Sequence, residues 1–164
     1  QFARFLKAAA ERKLTPFVSM QNFYNLVYRE EEREMIPLCI AEGVGVIPWS
    51  PLARGFLGRK AADAFADRST RAKSDKNLDM RFGDPDLEIL KRVETVAARL
   101  GVPNAQVALA WLMRRPGVTA PIIGASKPHH IADAAAAAAL MLSPQDCAFL
   151  EEPYQPRPVA GWLS

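Results

Sequence analysis

Glu42-Gly43-Val44-Gly45-Val46-Ile47-Pro48-Trp49-Ser50-Pro51-Leu52 is the stretch on which the fold turns. Gly43 closes a helical pattern, where a residue free to take positive φ stops a helix. Gly45-Val46-Ile47-Pro48 is then a short apolar strand bounded by turn residues. Further along, Pro116-Gly117-Val118-Thr119-Ala120-Pro121-Ile122-Ile123 repeats the arrangement: a helix-ending glycine, then an apolar strand with Gly124 and Ser126 at its far end. Earlier, Phe17-Val18-Ser19-Met20-Gln21 has the same β-branched and aromatic content. Short, uniformly apolar strands separated by helices point to parallel strands covered by helices, an α/β arrangement of barrel or doubly wound type.

Working outward, Phe2, Phe5, Leu6 and Ala9 fall at helical spacing and predict a first helix already under way at Gln1, broken by Thr15-Pro16. Residues 22–26 are expected as a loop. From Arg29 the run Glu30, Glu31, Glu32 opens a second helix, with acidic groups where the macrodipole favours them and a solvated character expected through Glu34. Pro37 should kink or shorten it. Residues 54–77 are charged and without periodicity, and are expected as a long excursion loop. Asp84-Pro85 predicts a helix start with Asp84 as N-cap, and Gly101 its end. A further helix is expected over 104–114, another from Pro128 through the alanine tract, and a last one capped by Ser143 with Asp146 facing back. The tail 153–158, with its prolines, should lie extended over a surface.

The composition limits the partners. The chain has 164 residues, 49% apolar and 24% charged, the balance of a soluble globular domain. Its 21 Lys and Arg against 18 Asp and Glu leave +3, too little and too scattered for a nucleic-acid footprint. Cys39 and Cys147 cannot build a disulfide framework, which favours a reducing, cytoplasmic setting. The longest run without a polar side chain, Ala134 to Leu142, falls far short of the ~20 residues of a membrane span. A complete (β/α)8 barrel takes at least ~200 residues, so the length argues against a whole one. The sequence opens on Gln1 rather than Met, and the expectation is that something is missing in front.

In α/β proteins ligands gather beyond the C-terminal ends of the strands. At the end of the third strand, Gly124 permits close backbone approach, Ser126 offers a hydroxyl and Lys127 a cation, ahead of a helix start at Pro128. That is the composition of an anion site; it is equally that of an ordinary strand-to-helix turn with a capping serine. Trp49 offers a flat face to a ring, or packs in the core. Gln21 offers a donor and an acceptor to a carboxamide, or is a solvated turn residue. His129 and His130 are adjacent and the cysteines lack ligand spacing, so no metal set is expected. No GxSxG, P-loop or GxGxxG is present.

The motifs together resemble the aldo/keto reductases. Phe17-Val18-Ser19-Met20-Gln21-Asn22 with Tyr24-Asn25-Leu26 is similar to their sixth-strand region, and Gly45 through Gly55 to their seventh strand and cofactor loop. Val107-Ala108-Leu109-Ala110-Trp111-Leu112, Ile123-Gly124-Ala125-Ser126-Lys127-Pro128 and the tail from Pro153-Tyr154 to Gly161 continue the match over essentially the whole chain. The nearest flavour is a bacterial group that also resembles aryl-alcohol dehydrogenases and potassium-channel beta subunits. The resemblance implies a partial (β/α)8 barrel, the C-terminal half with about strands 6–8, belonging to an NADP(H)-dependent enzyme that reduces aldehydes or ketones. By the resemblance Gln21 holds the nicotinamide carboxamide, Trp49 stacks on the ring, and Ser50, Pro51, Leu52, Ala53 and Arg54 line the pyrophosphate. Arg59, with Lys60 as the alternative, and Arg71 close over the cofactor. Gly124, Ser126, Lys127 and His130 surround the 2′-phosphate and Asp133 faces the adenine, while Ala134 stands where many relatives carry Asn.

The family's catalytic Asp, Tyr, Lys and His match nothing in this chain, which carries the cofactor side of the arrangement. The expected partners are a small carbonyl substrate and the missing N-terminal half of the barrel, or in its absence a second copy through self-association. A different class of reading is a non-catalytic module that senses NADP(H) without turnover.

Overall fold

The computed structural model describes residues 1–65 and 82–159. Helix α1 (Phe2–Glu11) has Gln1 at its cap position and buries Phe2 and Ala9, but leaves Phe5 exposed. It ends several residues before Pro16, where Leu14 N–H bonds back to the Ala9 carbonyl across a left-handed Lys13. Strand β1 (Ser19–Met20) pairs in parallel with β2 (Gly45–Val46), Ser19 opposite Gly45. Both are shorter than the sequence pattern predicts. A third extended segment joins them: Val118 bridges Val46 and Ile122 bridges Trp49, both in parallel sense. Gly45 lets this segment approach closely, since a Cβ there would lie 2.6 Å from Thr119 Oγ1 and the threonine would have to turn aside.

The acidic run does not open a helix of its own. Glu30–Glu32 forms a single 3-10 turn, and α2 (Met35–Ala41) begins beyond it. Pro37 lies in the first turn of α2, where its missing N–H disturbs nothing, so the helix is shortened rather than kinked. Helix α3 (Asp84–Leu100) buries Ile89, Leu90, Val93, Val96 and Ala97 and stops at a left-handed Gly101. Its cap is Gly83, not Asp84, and Asp86 reaches back to accept the Gly83 N–H at 2.9 Å. Helix α4 (Asn104–Met113) is buried all round from Val107 to Leu112, the mark of a central helix. Helix α5 (Pro128–Ala139) packs along α4, and α6 (Pro144–Glu151) packs on α3. Ser143 and Asp146 form the expected reciprocal cap of α6. Of the excursion loop, residues 54–65 are described and include 3-10 turns at Ala53–Gly58 and Ala61–Asp63, while residues 66–77 lie outside the described residues.

Among the described residues the result is a partial α/β unit with an open, three-segment parallel arrangement and no closed barrel. No helix among the described residues is long and apolar enough to cross a membrane.

Candidate functional site

Parallel pairing puts the C-terminal ends of the three segments side by side. Trp49 N–H donates to the Asn22 carbonyl at 2.8 Å, and Ile122 N–H to the Pro48 carbonyl at 2.7 Å. Gln21, Trp49 and the chain approaching Gly124 therefore come to one end of the sheet. Trp49 is half-buried and packs at a tilt against Phe23 with ring centres 4.5 Å apart; Phe23 in turn packs at a tilt against Tyr28 at 4.6 Å. Phe23 and Tyr28 are buried, so the indole is backed by a fixed aromatic ladder.

The chain after Trp49 turns through unusual backbone. Ser50, Ala53 and Arg54 have φ of 50°, 47° and 58°, and Gly55 follows at 89°. Lys13 is the one other non-glycine residue with positive φ among the described residues. A Cβ in this region meets its own backbone, so such a cluster persists only where surrounding contacts enforce it. Ala53 N–H closes on the Ser50 carbonyl and Gly55 N–H on that of Leu52, both at 2.9 Å. Pro51 and Ala53 are buried; Ser50, Leu52 and Arg54 are half-buried. The Arg59 carbonyl accepts from Asn104 Nδ2 at 2.6 Å. Arg59 and Lys60 border an open groove of about 340 Å³ together with Glu94 and Asn104, and no strand-end residue lines it. Arg71 lies outside the described residues.

At the third end, Gly124, Ser126 and Lys127 are exposed. Lys127, not Ser126, holds the cap position of α5, and no side chain caps the helix. The capping-serine alternative is therefore not realised. Ser126 N–H instead points to His130 Nδ1 at 3.4 Å. Asp133 accepts from Gln106 Nε2 at 3.0 Å, which ties its carboxylate to α4. Gln106, Phe23 and Asn25 are neighbours that sequence reasoning missed. A polar Asn25 inside an aromatic and apolar run was the available signal, because a buried amide must find partners.

Away from this rim, the acidic run corrects the expectation of a solvated helix start. Glu30 is 4% exposed and accepts from Tyr154 hydroxyl at 2.6 Å and Arg157 N–H at 2.8 Å, with the Arg33 guanidinium at 2.7 Å. Burial alone would raise its carboxyl, but these donors hold it below the ordinary range. Glu32 is held low in the same way by Arg29 and the Tyr24 hydroxyl. Burial pushes Glu31 up, with the Glu30 charge adding and an Asn22 hydrogen bond opposing. Arg29 lies over the rings of Trp111 and Tyr154, while Trp111 Nε1–H donates to Glu151 at 2.8 Å. Among the described residues no group of His, Cys, Asp and Glu could hold a metal ion.

The model of the aldo/keto reductase family matches residues 3–154. An aldo-keto reductase of Fusarium vanettenii is 47% identical over 163 residues, 98% of this chain and 43% of that protein. A Schizosaccharomyces pombe protein bearing the name of an aryl-alcohol dehydrogenase is 46% identical over 162 residues, 98% of this chain and 45% of its own length. The versiconal hemiacetal acetate reductase of Aspergillus parasiticus is 43% identical over 148 residues, 87% of this chain and 42% of that enzyme. The chain thus spans less than half the length of these relatives. All three are fungal, so the expected bacterial grouping gains nothing from them.

Proposed function

The chain belongs to the aldo/keto reductase family of oxidoreductases, and from that premise we propose that it is the cofactor-holding, C-terminal part of an NADP(H)-dependent barrel that reduces aldehydes or ketones. The observation that carries this reading is the convergence of three strand ends on the left-handed turn from Ser50 to Gly55. When bound, the dinucleotide supplies a hydride to a carbonyl carbon.

The residues present fit such a group. Gln21 is exposed at the strand end, with an amide that can both donate to and accept from a carboxamide. Trp49 gives the nicotinamide a flat face whose tilt is set by Phe23. The turn of Ser50, Pro51, Leu52, Ala53 and Arg54 takes the pyrophosphate, with Arg59 and Arg71 as the further cations for its charge. Gly124, Ser126 and Lys127, ahead of the uncapped start of α5, with His130 in its first turn, take the 2′-phosphate. Asp133 faces the adenine, its carboxylate oriented by Gln106.

The proton for the carbonyl oxygen comes from elsewhere. Tyr24 and Tyr154 both give their hydroxyl protons to carboxylates, and burial pushes both above the ordinary phenol value. That is the opposite of a general acid tuned toward neutral pH. The acid belongs to the remainder of a longer protein, whose strands cover Phe17 and Val18 on one side and Ile122 and Ile123 on the other, all exposed here. Without that cover, such edges and faces favour self-association.

The test is titration of the full-length protein with NADPH, following tryptophan fluorescence. A saturable quench that Trp49→Ala abolishes is expected; a quench unaltered by that substitution overturns the assignment. Oxidation of NADPH by nitrobenzaldehyde-type carbonyls is expected alongside, and saturable binding with no turnover would mark a sensing module instead.

A further inference from the structure

The cofactor turn begins at Ser50, and Ser50 cannot keep its conformation unaided. It is an L-residue at φ 50°, and the next residue, Pro51, has no N–H with which to brace the turn. The brace comes from another part of the chain. Asn25 is wholly buried, and its Nδ2 donates to the Ser50 carbonyl at 3.1 Å across a sequence separation of 25 residues. The same carbonyl accepts Ala53 N–H at 2.9 Å, so it is held from inside the turn and from beneath it.

The Asn25 amide is itself fixed. Its Oδ1 accepts Val27 N–H at 3.1 Å, which leaves only the NH2 to face Ser50; the flipped amide would set oxygen against oxygen and nitrogen against N–H. Its backbone exchanges both hydrogen bonds with Tyr28 at 3.1 Å, and Tyr28 packs against Phe23 beneath Trp49. One buried turn, residues 22–28, therefore supports the Trp49 ring through Phe23 and the following loop through Asn25.

We propose that Asn25 is a positioning residue for cofactor binding, holding the left-handed Ser50 turn ready before the dinucleotide arrives. The inference rests on the reading of that turn as the cofactor cradle. A cradle already in its bound shape loses less conformational freedom on binding.

The experiment compares Asn25→Asp and Asn25→Ser with the parent in the full-length protein. Both replacements keep an acceptor for Val27 N–H, so the turn of residues 25–28 survives. Ionised, the aspartate has no donor for Ser50; protonated, it regains one. Serine is too short to reach. NADPH Kd is measured by fluorescence between pH 5 and 8, with circular dichroism confirming the fold. Asn25→Ser should bind about tenfold more weakly at every pH, the order of one lost buried hydrogen bond. Asn25→Asp should bind about as weakly as that at pH 8 and approach the parent as pH falls. Parent-like affinity at every pH in whichever variant folds overturns the inference, since a residue that merely supports the fold leaves Kd unmoved in folded protein. If the parent itself binds no NADPH, the underlying reading of the site fails instead.

Discussion

The strand-end rim and the acidic cluster beneath the C-terminal tail both gather charged and aromatic side chains from distant parts of the sequence, and the two are finished differently. In the cluster, Glu30, Glu32, Arg29, Trp111, Tyr154 and Arg157 meet one another through hydrogen bonds and ring contacts, although Arg157 Nε is buried without a hydrogen-bond partner. At the rim, Gly124, Ser126 and Lys127 face solvent, no side chain caps α5, and Ser50, Ala53 and Arg54 are held in left-handed backbone. Polar groups that satisfy each other hold a fold together; polar groups and strain left facing outward are what a ligand can use.

Substitutions should separate the two regions, with stability moving in one and affinity in the other. The largest effect is expected for Glu30→Ala, which leaves Tyr154 hydroxyl, Arg157 N–H and the Arg33 guanidinium without their acceptor. Urea unfolding should show a loss of about 3–5 kcal/mol, the order of two hydrogen bonds to a charged acceptor lost together, the Arg33 guanidinium itself being exposed to water. NADPH affinity of the folded protein should not change. A loss below about 1 kcal/mol, the range of a surface pair, would erase the distinction drawn between the regions.

Trp111→Phe comes next. It keeps an aromatic face near Arg29 but removes the Nε1–H bond to Glu151, whose Oε1 keeps Arg115 as a donor, and about 1.5–3 kcal/mol of stability should go with that one hydrogen bond to a charged group. At the rim, Lys127→Ala should leave the unfolding midpoint in place. It should weaken NADPH binding roughly threefold at low salt and less as salt rises, because an exposed cation is screened. NADH, lacking the 2′-phosphate, should bind the variant and the parent alike.

The smallest effect concerns pH. Glu30 and Glu32 are held below the ordinary carboxylate range, so their stabilisation is complete above that range and is lost as pH falls through their lowered values. Glu31 is pushed up, so its ionisation costs stability near neutral pH, and the cost lifts as pH falls through its raised value. Glu31→Gln should therefore be slightly more stable than the parent at pH 7, with the advantage shrinking toward pH 4, as read from urea midpoints across that range. An advantage that grows on acidification would reverse the assignment.

Much of the frame was legible because local chemistry dictates it. Gly101 and Ser143 sit where helices end and begin, and the uniformly apolar run of α4 belongs to a buried helix. Composition misled where a long-range partner decides. Three successive glutamates suit a solvated helix start, yet here Glu30 turns inward because Tyr154 and Arg157 arrive from the distant tail, while Tyr24 and Arg29 close on Glu32 from nearby. Asp84 before Pro85 looks like an N-cap, but Asp86 one turn in reaches back and moves the cap to Gly83. Of the site, the strand-end residues were visible as side chains with suitable chemistry. Asn25, Phe23 and Gln106 were not, since their roles lie in what they touch.

The sequence by itself determined the order of helices and strands, the parallel character of the strands, and which polar and aromatic side chains stand at the strand ends, because periodicity, capping and side-chain chemistry act over a few residues at a time. Only the tertiary structure decided which charges are closed off in pairs and which stand open, and that the Ser50 turn is braced from beneath by a buried amide. Those outcomes depend on contacts between segments tens of residues apart, where burial sets the cost of every unpaired polar group and the local sequence carries no record of the partner.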